Sequence, residues 1–165
     1  MKKFPKSAKF CFPWRSYQAE VLAELEGHLD DNHLNIVAAP GSGKTILGLE
    51  VMLRINKPTL ILAPSIAIRN QWINRFTENF LQIADPPKWI SDDVKNPQFL
   101  TVSTYQGLHA AFTDSEDEDD SIEHDNDEKI LSQAEIILKK LKQKKVQTII
   151  IDEAHHLRNA WWKSL

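Results

Sequence analysis

Two short stretches hold the residue types that phosphate chemistry requires. Ala39-Pro-Gly-Ser-Gly-Lys-Thr45 gathers glycines, a lysine and a hydroxyl, and Asp152-Glu-Ala-His155 sets two carboxylates in succession. A polyphosphate needs many donors at close range, and Gly41 and Gly43 let consecutive backbone N–H groups converge on it without side chains in the way. Lys44 would then neutralise the β and γ oxygens, and the Thr45 hydroxyl would face Mg²⁺. Asp152, at a strand end, would hold the metal shell, and Glu153 would orient and deprotonate an attacking water. Two carboxylates there point to hydrolysis rather than transfer to a substrate hydroxyl. Ala38 occupies the place where the usual phosphate loop has its first glycine. His155 and His156 have no nearby cysteine ligands, so a coupling or hydrogen-bonding role fits them better than a metal site.

Both stretches need strands to hold them. Each follows an apolar run, Leu34–Ala38 and Thr148–Ile151, which reads as a buried parallel strand ending at the loop. Helical spacing of Tyr17, Val21, Leu22, Leu25 and Leu29 predicts a first helix from Trp14 to about Leu29, and Gly43–Arg54 reads as the helix after the phosphate loop. Thr59–Ala63 predicts a strand stopped by Pro64, with Ser65 capping a helix that runs to about Phe80. Residues 82–98 hold Pro86, Pro87 and Pro97 and read as irregular, with a short strand at Lys88–Ile90. Phe99–Ser103 predicts a strand, Tyr105–Phe112 a short helix, and Ile130–Leu141 an amphipathic helix with a lysine-rich outer face. Strands alternating with helices argue for an α/β fold with a mainly parallel sheet and helices on both faces.

The chain has 165 residues, enough for one core, and its 42% apolar content is that of a globular body. The single cysteine, Cys11, excludes an internal disulfide, and no apolar run reaches membrane-spanning length, which reads as a soluble cytoplasmic protein with no membrane partner. The formal charge of −3 conceals an asymmetry. Ten of the 23 acidic residues fall between Asp114 and Glu128, leaving 20 basic against 13 acidic residues elsewhere. That acidic run reads as a disordered surface insertion at about 113–129, the alternative being a nucleic-acid mimic that competes for the basic remainder. Residues 1–13 read as an N-terminal arm and 14–165 as one partial domain.

Taken together and in order, these stretches resemble the first RecA-like domain of superfamily 2 helicases and translocases of the DEAD/DEAH-box kind, nearest to the branch containing restriction-enzyme motor subunits. Phe12-Pro-Trp-Arg-Ser-Tyr-Gln18 is similar to the family's adenine-recognition element, with Arg15 and Gln18 at the matching positions. Ala39–Thr45 matches motif I, so the resemblance implies that Pro40, Gly41, Ser42, Gly43, Lys44 and Thr45 bind ATP, with Lys44 and Glu153 catalytic and Thr45 and Asp152 on Mg²⁺. His155 would communicate with a second domain. Leu62-Ala-Pro-Ser65 with Arg69, Gln71 and Trp72 resembles motif Ia, and Thr101–Gly107 the next nucleic-acid-contacting segment, which nominates Ser65, Arg69, Ser103 and Thr104 as backbone contacts. Ser65 also serves as a helix cap and Trp72 as core, and for Ser65, Ser103 and Thr104 a structural role and a nucleic-acid contact are equal contenders.

The family continues with a Ser-Ala-Thr-like segment and a second RecA-like domain whose arginines complete the ATP site. Neither follows Asp-Glu-Ala-His here, so the fold is expected to be incomplete at its C-terminus, with a gap in the sheet that exposes apolar flanks and unpaired backbone groups. Two functions are then in play. One is the N-terminal half of an ATP-dependent helicase or translocase, acting on DNA rather than RNA and hydrolysing ATP only when a second domain joins in cis or in trans. The other is a non-catalytic remnant that holds nucleotide or a protein partner.

Overall fold

The structure is a computed structural model that describes residues 2–39, 41–113 and 126–154. It divides into two compact units, Met1–Lys57 with Asn70–Pro87, and Pro58–Arg69 with Lys88–Leu165.

In the first unit, α1 (Ser16–Leu25) runs into a 3₁₀ turn at Glu26–His28, and α2 spans Lys44–Ile55. Leu22, Leu47 and Val51 are the buried centre between them, flanked by Val21, Leu25 and Ile55. Helix α2 stops at Asn56, whose left-handed φ of 55° lets its N–H close back on the Met52 carbonyl at 2.9 Å. The N-terminal arm is fastened rather than loose. Lys9 and Cys11 donate backbone hydrogen bonds to Phe80 and Asn79 at 3.1 and 2.9 Å, and Phe4 meets Phe76 edge-on with ring centroids 5.9 Å apart.

The predicted strand Leu34–Ala38 is not one. Leu34 and Ile36 pack on the α1/α2 core and Val37 is 88% exposed, so burial alternates as in a strand, yet among the described residues no strand pairs with this segment. Apolar content specifies burial of one side; a strand also needs a neighbour for its backbone.

The second unit holds a four-stranded parallel sheet of order β2-β3-β1-β4: β1 Thr59–Ala63, β2 Ile90–Ser91, β3 Leu100–Thr104 and β4 Thr148–Ile151. The fold is α/β, as the alternation of elements predicts. Strands β1 and β3 are buried along their whole length, as expected for interior strands of a parallel sheet. Helices α4 (Tyr105–Thr113) and α5 (Asn126–Gln143) cover Leu60 and Leu62 through Leu108, Phe112 and Ile137. Helix α5 begins before the predicted Ile130, and residues 114–125 of the acidic run lie outside the described residues. Helix α3 (Ile66–Phe76) continues as a π-helical turn, Thr77–Leu81, and the division between units falls within it.

Among the described residues strand β4 is the last of the sheet and pairs with β1 alone, and Ile149 and Ile151 are 56% and 37% exposed. Asp152 N–H donates to the Leu62 carbonyl at 2.9 Å and Thr148 N–H to Pro58 at 3.2 Å, so the alternate residues Ile149 and Ile151 turn their backbone groups to the open edge. No proline, bulge or charge blunts this edge within β4.

Candidate functional site

The candidate residues fall into one set per unit. In the first, the loop before α2 has the shape its glycines predict: Gly41 has φ 74° and Gly43 φ 89°, both left-handed, and Gly43 is the N-cap residue of α2. A side chain at Gly41 would meet nothing, so the loop is open to solvent there. At Gly43 a Cβ would lie 2.6 Å from Gln18 Nε2, so glycine is also what lets the loop approach α1.

Gln18 is buried and fully engaged. Its Oε1 accepts the Arg15 N–H at 3.3 Å and its Nε2 donates to the Ser42 carbonyl at 3.2 Å, so one side chain ties the start of α1 to the phosphate loop. Arg15 is exposed. Half-buried Lys44 reaches back with Nζ 3.3 Å from the Ala38 carbonyl, across the loop it would serve. Thr45 Oγ1 accepts from Gln71 Nε2 at 3.4 Å, a contact the spacing of motifs did not announce. Pro40 lies outside the described residues.

Beside this loop a cleft of about 740 Å³ lies between α1 and residues 33–39, lined by Tyr17, Val21, Leu25, Leu34, Ile36 and Ser42. Tyr17 Oη and Ser42 Oγ are buried and have no hydrogen-bond partner among the described residues. Desolvated hydroxyls left unsatisfied cost about 1–3 kcal/mol each, which a bound ligand can recover. The Tyr17 ring packs against the α1/α2 core, with its hydroxyl toward the cleft it lines.

In the second unit, Asp152 and Glu153 follow β4. The buried Tyr105 hydroxyl, at the start of α4, donates to the Asp152 carbonyl and fixes the backbone from which the carboxylate projects. Burial, reinforced by the charges of Asp152 and Glu153, pushes the Tyr105 hydroxyl above the usual phenol range, so it stays a donor. Glu153 has φ 51°, the left-handed region that a non-glycine residue enters at a cost of about 1–2 kcal/mol. That strain sits on the residue nominated to activate water. His155 lies outside the described residues.

Of the nucleic-acid candidates, Ser65 is exposed and its Oγ accepts the Ile68 N–H at 3.3 Å, capping α3 as predicted. Arg69 is ion-paired with Asp92 at 3.3 Å. Ser103 and Thr104 are 4% and 8% exposed, and Thr104 Oγ1 accepts the Gly107 N–H at 2.8 Å to cap α4. Both are buried, so Ser65 is the candidate with an exposed side chain, while Arg69 is half-buried beside Asp92. Periodicity could not reveal this, because a strand buried on both faces does not alternate.

The residues fit a nucleoside polyphosphate. In the first unit the glycine loop opens a helix of full length, Lys44 supplies the charge, and the Thr45 hydroxyl is a hard oxygen ligand of the kind a divalent cation prefers. No group of three or more His, Cys, Asp or Glu side chains gathers as a metal cage among the described residues. Such a cation would draw most of its ligands from phosphate and water, which is the habit of Mg²⁺. No helix among the described residues is long and apolar enough to cross a membrane.

The family model described as type III restriction enzyme, res subunit, matches residues 12–165. No curated protein matches the chain.

Proposed function

We propose that this chain, which belongs to the type III restriction enzyme res subunit family and is a helicase-like ATP-binding domain, is the ATP- and nucleic-acid-binding half of a cytoplasmic, DNA-directed helicase or translocase. Hydrolysis would await a second RecA-like domain, supplied in cis or in trans. The observation that carries this reading is the loop before α2, where two left-handed glycines lead into Lys44 and Thr45 on the first helical turn.

Each residue has a task that follows from its chemistry. Lys44 exchanges the Ala38 carbonyl for phosphate oxygens, and the amides of Gly41 to Thr45 cradle them. Gln18 and Arg15 stand at the base end of the nucleotide, and the Tyr17 and Ser42 hydroxyls line the adjoining cleft. Thr45 and Asp152 would hold Mg²⁺. When bound, that cation neutralises charge on the phosphate oxygens. Glu153 orients a water and accepts its proton, and His155 relays the state of the site to the partner domain. Ser65 and Arg69 hold one strand by its phosphates, Arg69 giving up Asp92 to do so.

The arginines of a completing domain are worth about 10³–10⁵ in rate in related enzymes, so this chain alone should turn over ATP at close to the uncatalysed background. A coupled phosphate-release assay tests the point. Vigorous hydrolysis by residues 1–165, abolished by Lys44→Ala, would show that nothing essential is missing and overturn the half-site reading.

A further inference from the structure

We infer that Gln71 is a positioning residue for the Thr45 hydroxyl, restraining it as an acceptor with a lone pair left for a divalent cation. The inference rests on the ATP-binding reading above and adds to it a residue to which the phosphate-loop pattern gives no part.

The contact is built from both sides. Gln71 Nε2 donates to Thr45 Oγ1 at 3.4 Å. The next residue, Trp72, is buried and fixes the approach of α3 to α2: a Cβ at Gly48 would lie 2.6 Å from Trp72 Cη2, so only glycine at that position of α2 admits the indole. Thr45 and Gly48 are three residues apart on α2, on one face, and Gln71 and Trp72 are adjacent on α3. The Trp72–Gly48 contact therefore sets the spacing at which Gln71 meets Thr45.

The chemistry of the pair gives it a direction. A threonine hydroxyl carries one proton and two acceptor lone pairs, whereas a glutamine –NH₂ can only donate. A hydroxyl that accepts from Gln71 spends one lone pair there, which bars its proton from that direction and leaves the second lone pair for a cation. A hydroxyl without this restraint samples orientations in which its proton faces the cation, and those must be abandoned on binding.

The consequence is confined to the cation. Gln71 is exposed and reaches Thr45 alone among the loop residues in its hydrogen bonding, so its loss should leave metal-free nucleotide affinity unchanged and reduce the gain that Mg²⁺ confers. One neutral hydrogen bond corresponds to about a three- to tenfold effect.

The test is fluorescence titration of mant-ATP into the full chain, with Mg²⁺ and with EDTA, for the parent, Gln71→Ala and Gln71→Met. The methionine keeps the length and apolar stem without a donor. The expected result is a three- to tenfold loss of the Mg²⁺-dependent gain in both variants, unchanged affinity in EDTA, and no further loss when Gln71→Met is placed on Thr45→Val. Equal weakening in EDTA and Mg²⁺ would assign Gln71 a purely structural role, and an undiminished gain would assign it none; either overturns the inference while leaving ATP binding intact. Absence of mant-ATP binding by the parent would overturn the ATP-binding reading, and this inference with it.

Discussion

Replacing Gly43 by alanine tests how tightly the phosphate loop is built against α1. Two costs add. Alanine must hold φ 89°, ψ 31°, and the left-handed region costs a side-chain-bearing residue about 1–2 kcal/mol. The new methyl would also lie 2.6 Å from Gln18 Nε2, and Gln18 is buried with both ends of its amide engaged. It can yield only by releasing the Ser42 carbonyl and the Arg15 N–H, each bond worth about 0.5–1.5 kcal/mol net. The sum is about 2–5 kcal/mol, a large share of the roughly 5–15 kcal/mol that holds a domain folded. Gly41→Ala isolates the first cost, since φ is 74° there and a methyl would meet nothing; it should lose about 1–2 kcal/mol. Urea unfolding followed by circular dichroism measures both. In a Gln18→Ala background the extra cost of Gly43→Ala should vanish, leaving the two glycine substitutions equal. A Gly43→Ala loss no greater than that of Gly41→Ala in the parent chain would refute the close approach of the loop to Gln18.

Three further outcomes follow from the second unit. The folded chain holds the Tyr105 proton more tightly than the unfolded chain does, so the stability this gives is complete below pH about 10, where a free phenol titrates, and falls above it by up to about 1.4 kcal/mol per pH unit. Urea midpoints from pH 9 to 11 should decline less steeply for Tyr105→Phe, and parallel slopes would contradict the burial and charge assigned to that hydroxyl. Ile149→Lys places a charge at an exposed apolar position of β4 and should suppress self-association in concentrated solution with stability changed by no more than about 0.5 kcal/mol; unfolding of this variant would mean that the side chain is covered. Thr104→Val removes the cap of α4 and should cost about 0.5–2 kcal/mol in the same unfolding assay, whereas no loss would free that hydroxyl for a ligand.

What the sequence made legible was what a single segment determines. Strands β1, β3 and β4 emerge within a residue of prediction because each is a short apolar run with a clear stop, Pro64 among them. Ser65 caps α3 as its position before an apolar-periodic run required. Leu34–Ala38 shows where that reasoning ends, because its pattern is as strand-like as that of β4 and the difference lies in having a partner. The site divides in the same way. Glycines in a phosphate loop announce their own backbone angles, and Gly41 and Gly43 adopt them. The hydrogen bonds of Gln71 to Thr45 and of Tyr105 to Asp152 span 26 and 47 residues of sequence, and a glutamine or tyrosine has many possible partners. The burial of Ser103 and Thr104 was equally hidden, since a strand buried on both faces has no polar and apolar alternation to mark it.

The most direct test of the central claim is a calorimetric titration of ATP with Mg²⁺ into residues 1–165 and into Lys44→Ala. A half-site built on the loop before α2 predicts saturable binding at one site per chain that Lys44→Ala abolishes, since the nucleotide then loses the one side-chain cation of that loop. No heat of binding to the parent chain, or equal binding to both proteins, would contradict it.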